Sequence, residues 1–276
     1  MNTWIIVIVI VAIVGYVFWS RRKKAPAAVQ IPFGPIGAGA LDFDALEARY
    51  PLGVADLQSL DAENIEALGQ DQLDQVYARL RSGPIPDGPY RGSFFFAEGG
   101  NFRTIADVLG GLRGKAVDFK LDLATAIGEQ LWQGKVFYRD RAELRNIIDK
   151  EQALAALFGV SRQQMRKERI FGDEVALLFP AKLYIGSSQL DPRRPSVIID
   201  YAETAQIEGY IEKIDRLAGK DGLMIRDEIR MIRPGFYLGR AYFGTLFGLN
   251  FTLYNEDVVR QETAAWAAVG GQRRSG

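Results

Sequence analysis

The chain has 276 residues, enough for one sizeable domain or two small ones, and it contains neither histidine nor cysteine. That excludes imidazole- and thiol-based catalysis, structural zinc sites, the two-histidine iron triad and disulfides, and leaves carboxylate, lysine, tyrosine, serine and threonine chemistry. Basic and acidic residues balance at 34 each, but Arg21, Arg22, Lys23, Lys24, Arg273 and Arg274 lie near the ends, so the body carries 28 positive against 34 negative charges, a net of −6; no nucleic-acid partner is expected from a body of that sign.

Residues 4–19 read WIIVIVIVAIVGYVFW, with no charge and a tryptophan at each end. With its neighbours this stretch makes a helix of about 28 Å, close to one hydrocarbon thickness. Trp4, Tyr16 and Trp19 fall where an interfacial aromatic belt belongs. A basic leader and a small-residue cleavage site are both missing, so a retained anchor is expected rather than a signal peptide. The basic residues all follow the span, which places the body on the cytoplasmic side of the inner membrane.

Residues 25–40 (APAAVQIPFGPIGAGA) form a linker whose prolines and glycines forbid regular structure. The segment 41–82 is expected to be helical. Asp42 and Asp44 suit a first start, Pro51 a stop and Ser59 a second N-cap. Leu60, Ile65, Leu68, Leu73, Val76, Tyr77 and Leu80 recur at helical spacing, with Gly69 as a break. The stripe is expected to face a core; the sharper alternative is a docking face for a membrane partner.

Residues 83–268 are expected to form one β-rich domain. After the turn cluster GPIPDGP (83–89), residues 90–96 form a first strand with aromatics on both faces, so both faces should be covered. Helices are expected over 102–112 and 121–132, a second strand over 134–138, and another helix over 142–158. The basic run 162–169 is expected as a solvated helix face. Residues 175–179 and 183–185 are apolar runs parted by Pro180, two strands or one bent strand. Residues 196–201, 225–231, 236–243 and 249–254 follow as short antiparallel strands rich in β-branched and aromatic residues. An inserted helix is expected over 204–218 and a last one from Asn255 to about Ala268, before a disordered tail at 269–276. The fold class is thus α+β: a single N-terminal transmembrane helix, then an antiparallel, barrel-like sheet of six or seven strands with early and inserted helices.

Five short stretches carry a resemblance. Gly88-Pro-Tyr90-Arg-Gly92 fits G-x-[W/Y]-x-G, and Trp132-Gln-Gly134-Lys135-Val-Phe137 fits W-x-G-K-x-F. Ile199-Asp200-Tyr201, the run 225–230 and Tyr237-Leu-Gly239 complete the set. Over about residues 88–255 the chain resembles the GxWxG-type proteins of unknown function, which are similar to lipocalins in being calycin-like β-barrels; Tyr90 stands where that family has tryptophan. The resemblance implies a barrel and, loosely, an apolar ligand.

Alternation over 225–231 puts Ile225, Asp227, Ile229 and Met231 on one face and Arg226, Glu228 and Arg230 on the other. The charged face is expected to be a solvent-side ladder of paired charges, with a lumen-lining polar strip as the alternative. Asp227, on the core side, needs a partner such as Arg240 or a tyrosine hydroxyl, or a raised pKa. Lys135 is expected to be an exposed strand lysine, with a reactive amine as the alternative. The candidate ligand-binding set is Tyr90, Phe94, Trp132, Asp200, Asp227, Tyr237, Arg240 and Phe251, with no catalytic or metal site assigned.

Three functions fit this reading. The first is a non-catalytic, single-span accessory or scaffold subunit of a bacterial membrane protein complex, for which a filled barrel is expected and the 41–81 stripe would be a contact surface. The second is a membrane-tethered carrier of an apolar ligand such as a lipid, quinone or carotenoid, for which a cavity is expected. The third is an enzyme using Asp200, Asp227 or Glu228, which would need two carboxylates converging in one pocket. No cofactor is expected beyond a bound lipid or other apolar molecule. The partners expected are the membrane and other membrane-complex subunits.

Overall fold

The computed structural model describes residues 29–36, 42–96 and 131–271. The span expected at 4–19, the helix expected at 102–112, most of that at 121–132 and residues 272–276 of the tail lie outside the described residues. Among the described residues no helix is long and apolar enough to cross a membrane.

Nine strands are described: β1 (Gly88–Phe95), β2 (Trp132–Tyr138), β3 (Glu143–Ile148), β4 (Arg166–Ile170), β5 (Asp173–Ser187), β6 (Pro195–Asp200), β7 (Ile225–Arg233), β8 (Phe236–Phe243) and β9 (Leu246–Tyr254). The neighbours run β3-β2-β1-β9-β8-β7-β6-β5, and β3 pairs with β5 to close the ring. The result is a closed antiparallel eight-stranded barrel, with β4 attached to the start of β5. Closure leaves no free edge around the ring. The barrel thus has more strands than the six or seven expected from sequence.

The structure departs from the expected elements in three places, two of which add strands. Residues 143–148 form β3 rather than part of a helix; only Glu151–Phe158 (α5) is helical there. Leu144, Ile147 and Ile148 have helical spacing, but the strand buries both faces. Leu144 and Ile148 face the main core, and Ile147 faces a small outer cluster with Val136, Val175 and Leu177. The basic run expected as a helix face is a short 3-10 turn, Arg162–Gln164, followed by β4. The two runs around Pro180 are one continuous strand, with Phe179 and Pro180 unpaired in a bulge against β3. That is where a strand tolerates a proline.

Among the described residues four helices precede the barrel: α1 (Phe43–Arg49), α2 (Val54–Ser59), α3 (Ala62–Glu66) and α4 (Gln70–Arg79). Asp42 caps α1 through the Ala45 amide at 2.9 Å. Asp61, not Ser59, caps α3, in a reciprocal box with Asn64. Gly69 ends one helical stretch and precedes the next, as its position suggested. The apolar stripe is fully used inside the protein. Leu60, Ile65, Leu73, Val76 and Leu80 pack with Phe95 of β1 and with Ile232, Phe236 and Leu238 on the outer face of β7 and β8. It is therefore an outer layer of the core and not an open docking face.

This layer also covers the charged face of β7. Glu228 and Arg230 are buried beneath it rather than forming a solvent-side ladder. Arg230 donates to the carbonyls of Tyr77, Ala78, Asp191 and Arg194 and to Ser196 Oγ. The inserted segment after β6 is mostly turns, with one short helix, α6 (Glu212–Asp215), where a longer one was expected. Its fold is set by Asp215, whose carboxylate accepts the amides of Ile211 and Phe179, each at 2.7 Å. The last helix, α7 (Glu256–Ala268), is capped by Asn255 and matches the expected position.

Candidate functional site

The first two motif stretches build one wall of the barrel interior. The pairing of β2 with β3 shifts between Trp132 and Gly134. A residue inserted there changes the alternation, so Trp132 and Lys135, three positions apart, both face inward. Gly92 lies under the Trp132 indole, where a Cβ would collide with the ring. Gly134, at φ 142°, brings its backbone against the Tyr90 carbonyl, where a side chain has no room. The indole thus stands across the barrel, tilted against Phe94 and edge-on to Phe251, with ring centroids 6.2 Å apart in each case.

Lys135 is buried and fully paired, contrary to the exposed lysine expected. Its ammonium donates to Tyr201 Oη at 2.7 Å, Asn146 Oδ1 at 2.9 Å and Asp227 Oδ2 at 3.0 Å. Asn146 Oδ1 also accepts the Trp132 indole N–H at 2.9 Å. Asn146 Nδ2 donates to the Phe179 carbonyl, turned inward by the bulge, and to Tyr201 Oη. Tyr201 donates in turn to Asp227 Oδ2 at 3.3 Å. Every donor of the lysine is used, and both recorded contacts of Asp227 fall on Oδ2. Its Oδ1 takes no hydrogen bond from the described residues.

The electrostatics follow from burial. Desolvation alone would lower the Lys135 ammonium, but Asp227 and Tyr201 outweigh it and hold the lysine above its ordinary range. Burial pushes the Tyr201 phenol up to about 12, with Lys135 pulling it down and Asp227 pushing it further up. The amine is therefore kept protonated, which disfavours it as a nucleophile.

Against this cluster lies an apolar cavity of about 150 Å³. Phe94, Trp132 and Phe251 line it from the strands, and Phe243 and Leu249 from the β8–β9 hairpin. Leu217 and Ala218 line it from the segment after α6. Lys135, Asn146, Tyr201 and Asp227 form its polar patch.

Of the eight residues expected at the site, Phe94, Trp132, Asp227 and Phe251 meet at the cavity. Tyr90 and Tyr237 are interior but pack on each other edge-to-face at 5.9 Å, away from it, with Tyr237 donating to the Pro84 carbonyl. Asp200 points outward and accepts from Tyr184 at 3.1 Å and from the Ala202 amide. Arg240 is not the partner of Asp227. It lies on the outer face under α4, paired with Asp74 and bonded to Tyr242. The tyrosine hydroxyl expected as the other option is Tyr201. Asp200 and Glu228 do not meet Asp227 in the cavity, so these three carboxylates form no converging pair.

No family model matches the chain, and no curated protein matches it. A solved structure, described as the crystal structure of a protein from Thermomonospora curvata, is similar at 17% identity with a TM-score of 0.37. The match covers 77% of this chain and 99% of that one. The eight-stranded barrel itself rests on the strand pairing of this chain.

Proposed function

We propose that the barrel binds one small, mainly apolar molecule that carries a hydrogen-bond donor, with the apolar part among Phe94, Trp132 and Phe251 and the donor at Asp227 Oδ1. The observation that supports this is the cavity lying directly against a polar cluster in which, among the described residues, one acceptor is left over. A cluster of net charge zero does not call for an anion. Its unused acceptor calls for a hydroxyl or N–H.

Size narrows the ligand. About 150 Å³ is comparable to a protein cavity that takes benzene and lies below the ~300–1,000 Å³ of ordinary ligand pockets. A whole lipid, quinone or carotenoid does not fit, so only a phenol- or alcohol-sized head would enter. The lipocalin-like, GxWxG-type reading belongs to the same proposal, because Gly92, Trp132, Gly134 and Lys135 of those motifs build the cavity wall. The 4–19 segment would tether the barrel to the cytoplasmic face of the inner membrane, beside a source of apolar ligand. The accessory-subunit reading called for a filled barrel and an open helical stripe, and neither feature supports it.

Native mass spectrometry of the full-length protein, released gently from its membrane, tests the proposal. A retained small apolar mass is expected, and Ala241→Phe, which fills the cavity, should lose it. No retained mass, together with no saturable binding of phenol as a probe, would remove the binding role. A protein complex co-released without that mass would restore the accessory reading.

A further inference from the structure

A second cleft, of about 200 Å³, lies outside the barrel next to β3 and β5. Arg141, Arg145, Arg166 and Lys182 line it, with Glu143 and Glu208. Arg166 is taken up by Glu168, outside the cleft. That leaves three cations facing two carboxylates.

Arg145 is the unusual member. It is 3% exposed, yet among the described residues no carboxylate lies within ion-pairing distance. Among the described residues it makes one hydrogen bond, to the Glu208 carbonyl, and its buried Nη1 has no acceptor. The other deeply buried arginines are better served. Arg230 has five oxygen acceptors, Arg240 has Asp74 and Tyr242, Arg233 has the carbonyls of Leu57 and Leu60, and Arg79, whose Nη2 also lacks an acceptor, still has three carbonyls. A buried guanidinium without a counter-charge is costly, and a donor without an acceptor adds to that. Burial, with Arg166 nearby, lowers the Arg145 guanidinium from its ordinary value, as expected for a cation with too little compensation.

The backbone explains why the space exists. Arg145 stands opposite Phe179 and Pro180, the two unpaired residues of the β5 bulge. Lys182 pairs across from Glu143, two residues from Arg145 on the same side of β3. The three cations come from β3, β5 and the turn between β2 and β3. Donors arriving from three elements ask for more acceptor oxygens than the two of a carboxylate.

We propose that this cleft binds a phosphate group, with Arg145 Nη1 as the buried donor and Lys182 and Arg141 closing on its outer oxygens. The site is separate from the barrel cavity. The phosphate is either a free anion or the end of a phosphomonoester headgroup.

Titration of the full-length protein with inorganic phosphate, against chloride at equal ionic strength, tests this by calorimetry and by thermal shift. Saturable binding specific to phosphate is expected. Arg145→Gln should weaken it by about tenfold or more, the loss of a charge-assisted hydrogen bond. Lys182→Gln, at a half-buried strand position, should weaken it severalfold with the fold intact. Glycerol phosphate binding more tightly than phosphate assigns the group to a headgroup, and the reverse order assigns a free anion. Phosphate acting no differently from chloride overturns the proposal. So does unchanged phosphate affinity in Lys182→Gln, which decides the matter if Arg145→Gln does not fold.

Discussion

Lys135 and Asp227 are 92 residues apart in the chain and meet at 3.0 Å inside the barrel. They sit on β2 and β7, which are separated by three strands whichever way the ring is followed. The ion pair therefore bridges opposite walls, and the cavity lies against it. Removing one partner leaves the other charged and unpaired in a dry interior. Lys135→Met is expected to cost about 3–5 kcal/mol. The double variant Lys135→Met, Asp227→Leu should recover much of that, because apolar replacement of both partners is often neutral. Urea denaturation of the two single variants and the double gives the coupling energy. Additive costs would mean that the two groups do not interact.

The Trp132 indole lies against Gly92, and that contact fixes the shape of the cavity wall. Gly92→Ala puts a methyl group into the ring. It should destabilise the barrel by about 1–3 kcal/mol, the usual cost of overpacking, and shift the emission of Trp132. Trp132→Leu in the same background should relieve the strain. A neutral Gly92→Ala with unchanged emission would show that the indole is not held there.

Much of the barrel was legible from local patterns, and the polar cluster was not. Over 225–231 the alternation correctly put Asp227 inside, because β7 has no bulge there and its parity is uninterrupted. The same parity rule separates Asp200 from Tyr201, yet the candidate set took Asp200; only the register shows that the tyrosine enters and the acid leaves. Lys135 was misplaced because the irregularity after Trp132 reverses the alternation, and nothing at Gln133 announces it. Asn146 was hidden in a stretch whose apolar residues fit a helix as well as a strand buried on both faces. Arg226, Glu228 and Arg230 looked like a solvent ladder, since burial beneath a distant helical layer leaves no mark on local spacing.

Asp215 should make stability fall with rising pH over a narrow window. Burial raises its carboxyl from 3.8 to about 6, although the amides of Ile211 and Phe179 and the charge of Arg145 pull it back. Below about pH 4 the carboxyl is protonated in both folded and unfolded chains and contributes no slope. Between about 4 and 6 the unfolded chain has released a proton that the folded chain still holds, so stability declines, by up to about 3 kcal/mol. Above 6 both are ionised and the loss is constant. The difference in unfolding free energy between wild type and Asp215→Asn should change across pH 4–6 and be level from 7 to 9. A difference that is level throughout would place the titration elsewhere.

Arg230 is expected to hold the helical layer on the barrel. Its side chain is wholly buried, and two of its acceptors, the Tyr77 and Ala78 carbonyls, lie in the last turn of α4. Cations are favourable at that end of a helix, where carbonyls lack intrahelical donors. Two more acceptors, in Asp191 and Arg194, bring in the loop between β5 and β6. Arg230→Met should cost about 3–5 kcal/mol, since it strands several buried carbonyls at once. Arg230→Lys should recover only part of that, because one ammonium cannot span the acceptors that a guanidinium fork reaches. Hydrogen exchange locates the effect: faster exchange is expected in 70–81 and 188–194, with β2 and β3 unchanged. A uniform increase over all the strands would mean that Arg230 supports the barrel as a whole and not the attachment of its outer layer.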